Sequence, residues 1–256
     1  MLIVDARGEF EEQRRVYEDR AELYDLIYRG KDYAAEAEVV RDLLARNGVG
    51  EGADVVEAAC GTGSYLLHLQ HIYRVRGFDV SPAMLKLARQ KLGEAVELFT
   101  ADMRTFSLDE PCDGIVCLFS SIGYLPDVAA LEEAATAFWR ALRPGGVLLI
   151  DPWVEPEAWR EGHAFAQAER DEESGLQACR AVVSRSQGAR SILDFHWLVA
   201  VPHQGVEHFT ERHVLTMFSR ETFREVLTGA GFECELLEEA LRPGRRFIAC
   251  RKPPKR

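Results

Sequence analysis

Several things are scarce or missing in this chain, and each absence removes a class of function. Positive charge is in deficit: 31 lysines and arginines stand against 42 aspartates and glutamates, for a formal charge of -11. Nucleic acid, which needs a concentrated basic surface, is therefore not an expected partner. The only basic cluster, Arg251-Lys252-Pro253-Pro254-Lys255-Arg256, reads as a solvated tail. Cysteine pairs are missing too. The six cysteines (Cys60, Cys112, Cys117, Cys179, Cys234, Cys250) form no Cys-x-x-Cys and have no short spacing to histidine. They are expected to be small core residues in a reducing compartment, neither zinc ligands nor disulfides, and no metal is expected. No apolar run reaches the length of a membrane span, and the start, Met1-Leu2-Ile3-Val4-Asp5-Ala6-Arg7-Gly8-Glu9, lacks the basic-then-apolar pattern of a signal peptide. The expected location is the cytoplasm, with no membrane partner.

What is present is a core and a turn. With 256 residues, 47% of them hydrophobic, the chain can fill one large domain, or one domain with an insertion. In the stretch Ala53-Asp54-Val55-Val56-Glu57-Ala58-Ala59-Cys60-Gly61-Thr62-Gly63-Ser64, a short apolar run leads into two glycines one residue apart. A helical run, Tyr65-Leu66-Leu67-His68-Leu69, follows. That order reads as strand, tight turn, helix, with glycines that permit positive φ and bring bare backbone close to a ligand. A dinucleotide site would place a third small residue three positions after Gly63, where this chain has Leu66. The ribose-binding acid that such sites carry about 20 residues on does exist, as Asp79 at the end of Tyr73-Arg74-Val75-Arg76-Gly77-Phe78-Asp79. A ribose clamp without a pyrophosphate turn suits a nucleoside lacking phosphates, of which S-adenosylmethionine is the commonest cofactor.

The remaining segments alternate. Residues 9–28 are charged, with Phe10, Val16, Tyr17, Leu23, Tyr24, Leu26, Ile27 and Tyr28 at rough helical spacing. The tyrosines are expected to pack this helix on the domain, or to form a lid over the cofactor or line an acceptor pocket. A second amphipathic helix runs from Lys31 to Asn47-Gly48. After Asp79, Ser81-Pro82 opens a helix through Arg89. Strands are expected at 95–100, 113–119 and 147–152, with a helix at 127–142 stopped by Pro144-Gly145-Gly146. Strands alternating with helices predict a doubly wound, mostly parallel α/β sheet of Rossmann-like type, whose ligands gather beyond the carboxyl ends of the strands. From about 165 to 217, runs at 178–183, 191–199 and 213–218 predict a small antiparallel β insertion. A helix from Ser219 to Gly229-Ala230-Gly231 and a closing hairpin, 232–237 with 246–250, return to the core. The expected division is 1–151, 152–217 and 218–256, with the insertion an acceptor lid or the surface of a homodimer.

The Glu57-Ala58-Ala59-Cys60-Gly61-Thr62-Gly63 turn, Asp79, Ala101-Asp102-Met103 and Leu142-Arg143-Pro144-Gly145-Gly146 together resemble class I S-adenosylmethionine-dependent methyltransferases, over about residues 31 to 151. Further segments widen the likeness to most of the chain: Ala21-Glu22-Leu23-Tyr24-Asp25, Gly30 to Ala37, Phe119-Ser120-Ser121-Ile122-Gly123-Tyr124-Leu125, Asp151-Pro152-Trp153 and Phe195-His196-Trp197-Leu198-Val199. These resemble the sugar-nucleotide amino N,N-dimethyltransferases of desosamine and mycaminose biosynthesis, enzymes of antibiotic pathways. The resemblance implies that Ala59 and Gly61 meet the methionine end of the cofactor, Asp79 the ribose, Asp102 and Met103 the adenine, and that Leu118 floors the pocket. Tyr24 and Tyr33 would close over the cofactor, and Glu57, Gly63, Val80 and Met84 belong to the same set. Tyr17 and Tyr124 would face the acceptor amine as the catalytic pair, Trp153 would line the acceptor pocket, and Arg180 and Arg245 would hold a diphosphate. The chain departs from the family at Glu239-Ala240-Leu241-Arg242-Pro243-Gly244 and at Trp153-Val154, where a doubled tryptophan is usual.

Methyl transfer needs an unprotonated nucleophile held in line and shielded from water. An alkyl ammonium with a pKa near the lysine value of about 10.4 must first lose a proton to a nearby hydroxyl, imidazole or water. Other chemistries fit less well. His203, His208 and His213 recur every five residues, on no common side of a helix or strand, and read as surface positions. Glu207 and Glu211 do not complete a His-Glu-x-x-His zinc signature. Ser120-Ser121 lacks the glycine-flanked elbow of a hydrolase. A methyltransferase for another small amine, carboxylate or hydroxyl acceptor, and a non-catalytic regulator binding the same cofactor, are the two readings beside the preferred one.

Overall fold

The computed structural model describes Tyr17 and residues 20–238, 241–242 and 245–254. Most of the helix expected over 9–28 lies outside these residues; Tyr17 is helical, Arg20 is not, and α1 (Ala21–Ile27) starts after Arg20 as a separate helix. Next come α2 (Tyr33–Arg46), β1 (Asp54–Ala58), α3 (Leu66–Leu69), β2 (Arg74–Asp79), α4 (Pro82–Leu92), β3 (Glu97–Thr100) and β4 (Cys112–Cys117). A 3₁₀ turn at Ser121–Tyr124 leads to α5 (Val128–Ala141) and β5 (Leu142–Ile150). Then β6 (Ala164–Arg170), β7 (Gln177–Gln187), β8 (Arg190–Val201) and β9 (Gly205–Thr216) precede α6 (Arg220–Gly229), β10 (Glu233–Leu236) and β11 (Ile248–Arg251). Helix starts follow local chemistry: the side chains of Asp32, Ser81, Asp127 and Ser219 each accept from the backbone N–H three residues on, satisfying donors a helix leaves open.

The chain forms two compact units. The larger, Asp32–Trp159 with Thr216–Arg256, holds a seven-stranded sheet in the order β10-β11-β5-β4-β1-β2-β3. β1 to β5 pair in parallel, and β11 joins β5 antiparallel. One apolar cluster covers one face, from Val56, Phe78, Ile115 and Leu148 out to Leu131, Phe138 and Leu227. The other face packs Val55, Val116 and Leu149 against Val40, Leu43, Leu66 and Leu85. Every residue of β4 is buried, as a central strand covered on both sides requires. Its Ile115 and Val116 side chains contribute roughly 1.5–3 kcal/mol each on burial. The smaller unit joins the described residues up to Lys31 to Arg160–Leu215. Its antiparallel sheet runs β6-β7-β8-β9, and Leu23, Leu26 and Ile27 of α1 pack on Ala178, Val182, Phe195, Trp197 and Val199.

The doubly wound sheet and the antiparallel insertion are as the sequence predicts; four details differ. First, β5 begins at Leu142, so Pro144-Gly145-Gly146 is strand, not turn. The Gly145 N–H donates to the Lys252 carbonyl and the Lys252 N–H to the Gly146 carbonyl, pairings supplied from far along the chain. Second, the basic end is therefore no free tail where described: Lys252 Nζ donates to the carbonyls of Trp139 and Leu142, and Arg251 to that of Asn47. Third, Cys234 and Cys250 are disulfide-bonded. They lie directly opposite across β10 and β11, a pairing that a 16-residue separation does not announce. Fourth, His213 is buried, while His203 and His208 are exposed as expected. Strand alternation turns His213 inward beside Glu211, which also accepts from Trp197 Nε1 at 3.0 Å. β6, mostly exposed, carries little apolar signal and was not foreseen.

Candidate active site

In the larger unit the site is assembled where β1 and β2 end. The Cys60 N–H donates to the Phe78 carbonyl and the Gly63 N–H to that of Cys60, folding the chain sharply after β1. Ala59, Gly61 and Gly63 all take positive φ, at 55°, 55° and 74°. Gly63 is required twice over, since a Cβ there would lie 2.8 Å from Leu92 Cδ1. At Gly61 the opposite holds: no atom lies within 4 Å of where a Cβ would stand, so the bend has an open side. Leu66, in the position a dinucleotide fold gives to a small residue, fits because the strand side yields. Gly77 lies beneath it, and a Cβ there would meet Leu66 Cδ1 at 2.6 Å and Cys60 Sγ at 3.0 Å.

Asp79 ties the two strand ends together. One carboxylate oxygen accepts from the Gly61 N–H and the other from the Ser81 N–H, both at 2.9 Å. Burial pushes its pKa up, and the backbone donors of Ser81, Gly61 and Val80 push against that. Each oxygen has room for a further donor. Beside it Val80 is 47% exposed, an apolar side chain open just past the buried end of β2. An open glycine bend, an acid at its lip and an exposed apolar residue next to that acid fit a nucleoside: backbone at the bend, carboxylate for ribose hydroxyls, valine for a base.

The other expected cofactor residues, Tyr24 apart, lie in the same unit. Asp102 is engaged by Arg104, whose Nη2 lies 2.6 Å from its carboxylate. Met103 is buried with Phe78 and Phe106, Met84 is buried in the first turn of α4, and Leu118 is buried just past β4. Glu57 is buried on β1. Tyr33 meets Tyr65 edge-on at 5.1 Å, and Tyr65 donates to Glu36.

A second group lies past β4 and β5. Phe119 and Ser120 take left-handed φ, 52° and 64°, without being glycine, a strain that clusters at functional sites. Ser120 Oγ donates to the Pro152 carbonyl at 3.1 Å and receives Arg245 Nη1 at 3.0 Å, while the Arg245 guanidinium sits 4.1 Å from the Trp153 ring centroid. Tyr124 closes the 3₁₀ turn, half-buried. Asp151, which the sequence reading left unassigned, is buried here.

Tyr17, Tyr24 and Arg180 belong to the smaller unit. The Tyr17 ring is 6.2 Å from Tyr24 and 5.6 Å, edge-on, from His213. Arg180 is 7% exposed, ringed by Tyr28, Phe195, Trp197 and Phe165 at 4.7, 5.1, 5.6 and 5.9 Å. It donates to Gln167 at 3.3 Å, and its Nε is buried without a hydrogen-bond partner among the described residues. Alternation on β7 turns Arg180 inward, a burial that its charge would not suggest.

A mostly parallel sheet with a two-glycine bend after its first strand, and an acid finishing the second, defines an S-adenosylmethionine-dependent methyltransferase. A model of the methyltransferase domain matches residues 55–146. The dTDP-3-amino-3,4,6-trideoxy-alpha-D-glucopyranose N,N-dimethyltransferase of Streptomyces venezuelae is 37% identical over 223 residues, 86% of this chain and 92% of that protein. The dTDP-3-amino-3,6-dideoxy-alpha-D-glucopyranose N,N-dimethyltransferase of Streptomyces fradiae is 37% identical over 220 residues, 85% of each. Among solved structures, S-adenosylmethionine-bound CalS10, an amino pentose methyltransferase of Micromonospora echinaspora involved in calicheamicin biosynthesis, superposes with a TM-score of 0.80. It is 33% identical, covering 90% of this chain and 96% of that one. The chain belongs to the family of the dTDP-amino-sugar N,N-dimethyltransferases. No helix among the described residues is long and apolar enough to cross a membrane.

Proposed function

We propose that this enzyme transfers methyl groups from S-adenosylmethionine to the amino group of a deoxyamino sugar carried on a nucleoside diphosphate, as its relatives do. Identity of 37% across 92% of the Streptomyces venezuelae enzyme carries this reading. When bound, the cofactor supplies an electrophilic methyl on a sulfonium, so no metal or covalent intermediate is required. The chain's task is to position and to desolvate. Asp79 holds the ribose while keeping the Gly61 bend closed, Val80 and Met103 line the adenine with Asp102, and Ala59 and Gly61 meet the methionine end. Tyr33 and Tyr24 cover the cofactor. Tyr17 and Tyr124 orient the amine, Trp153 lines the sugar pocket, and Arg180 and Arg245 take the diphosphate. The unmatched Nε of Arg180 supports that last role, since a buried guanidinium donor costs free energy unless an acceptor reaches it.

The test is direct: incubate the protein with S-adenosylmethionine and dTDP-3-amino-3,4,6-trideoxyglucose, then weigh the product. One or two added methyl groups are expected, and recovery of unmodified sugar nucleotide would reject the acceptor. The antiparallel unit also offers an association surface. Its outer face exposes Ala166, Ala181, Val183 and Leu198, an apolar patch suited to a second copy of the chain. Sedimentation of Val183→Asp is expected to show monomer where the parent is dimeric; a monomeric parent would end that proposal. The cytoplasm is the compartment this reading implies.

A further inference from the structure

We propose that Asp151 is the group that takes the proton from the acceptor's ammonium, making the carboxylate at the end of β5 a catalytic residue of the site. This rests on the amine-acceptor reading above and adds to it the step that reading leaves open.

Topology places the residue. The cofactor elements, the Gly61 bend and Asp79, follow β1 and β2; β5 lies beyond β4 on the opposite side of β1. A nucleoside held at the β2 end therefore leaves the ends of β4 and β5 to the methyl acceptor, next to Tyr124 and Trp153. Asp151 is only 1% exposed, its backbone N–H donates to the Cys117 carbonyl, and its Oδ1 is buried with no hydrogen-bond partner among the described residues. Such an oxygen costs free energy that a structural role does not recover, and a donor supplied by a ligand would satisfy it. The left-handed residues Phe119 and Ser120 adjoin it, so strain and an unmatched acceptor coincide at one strand end.

The charged neighbours define its chemistry. Burial raises the Asp151 carboxyl to about 6; Arg245 and Arg242 oppose the rise, Glu36 adds to it, and a backbone hydrogen bond from Phe119 lowers it. Tyr65 and Cys117 face the same carboxylate, and burial pushes both of their pKa values up, so neither competes for the role. An ordinary carboxylate is too weak a base for an ammonium. A rise of about two units narrows that mismatch roughly 100-fold. Atoms and charge balance: one N–H proton goes to Oδ1, the freed nitrogen lone pair forms the N–C bond, and the C–S electron pair stays on sulfur. Asp151 then returns the proton to solvent. A second methylation repeats the cycle on the methylammonium, with one proton released per methyl transferred.

Two measurements decide it. With dTDP-3-amino-3,4,6-trideoxyglucose as acceptor, Asp151→Asn is expected to lower kcat about 100-fold and to remove the acidic limb near pH 6 from the rate profile. Asp151→Glu is expected to restore part of the rate, and S-adenosylmethionine affinity by calorimetry to stay within about twofold, the scale expected where no interaction with the cofactor is lost. An Asn variant that keeps its kcat or its acidic limb, or one that loses cofactor affinity in step with kcat, overturns the proposal. Independently, carboxyl carbon NMR of the full chain loaded with S-adenosylhomocysteine is expected to show Asp151 titrating near pH 6. Titration in the ordinary range of about 3.9 also overturns it. If the parent enzyme leaves the sugar nucleotide unmethylated, it is the acceptor reading that fails, and the NMR result still decides whether Asp151 is a base.

Discussion

At Asp79 two requirements meet in one side chain. The carboxylate fixes the Gly61 bend through one backbone donor and the start of α4 through another, and its remaining lone pairs can take the ribose hydroxyls that the proposed function assigns to it. Asp79→Ala should therefore weaken S-adenosylmethionine binding by on the order of 1.5–3 kcal/mol, the scale of a hydrogen bond to a charged group. Unchanged affinity in a calorimetric titration would move the ribose elsewhere. Asp151 makes a different prediction, about stability. Its folded-state carboxyl is raised to about 6, whereas an unfolded aspartate titrates near ~3.9. Between those values the folded chain binds the extra proton, so this contribution is fully present below about pH 4 and is lost as pH rises through about 6. Asp151→Asn, uncharged throughout, should be more stable than the parent at pH 8 by about 2–3 kcal/mol and near parity at pH 4. Chemical denaturation at the two pH values checks the sign, and equal differences at both would refute it.

Among the elements, the bend between β1 and α3 shows how a strand and a helix divide one packing problem. The helix carries the bulky Leu66, and the strand makes room with Gly77. Gly77→Val should destabilise the chain by roughly 1–3 kcal/mol through overpacking and should weaken cofactor binding, because Cys60 and the bend must shift. A thermal melt and a titration that both match the parent would show that the contact relaxes without cost. The same elements explain what could be read in advance. Alternation of apolar runs with capped helices gave β1 to β4 and α2, α4 and α5 to within a few residues, since each signal is local. The glycine spacing and Asp79 were legible because backbone geometry restricts which residues can stand there. The start of β5, the buried His213 and the Cys234–Cys250 pair were not, because each depends on a partner supplied from a distant stretch: Lys252, Glu211 and β11. Asp151 carries no such local signal, since its unmatched oxygen exists only once β4 and β5 are packed.

For the molecule as a whole, charge sets the remaining problem. A chain carrying -11 repels a sugar nucleotide, itself anionic, so attraction must come from a few placed cations. Two arginines stand out by environment. The Arg245 guanidinium sits over the Trp153 ring with one nitrogen on Ser120, and Arg180 is ringed by aromatic side chains with Nε unmatched among the described residues. An aromatic face orients a guanidinium without neutralising it, so each fork keeps its charge for the phosphate that the proposed function assigns to it. Replacing each by lysine keeps the charge and removes the paired geometry. The double variant Arg180→Lys with Arg245→Lys should raise KM for the sugar nucleotide about tenfold to 100-fold, the equivalent of one lost charge-assisted contact. KM for S-adenosylmethionine should be unaffected. If the arginines instead serve only as structural cations, the melting temperature falls and both Michaelis constants rise together. A rise confined to the sugar nucleotide in a fully folded variant separates the two roles, because the cofactor presents no phosphate for either residue to hold.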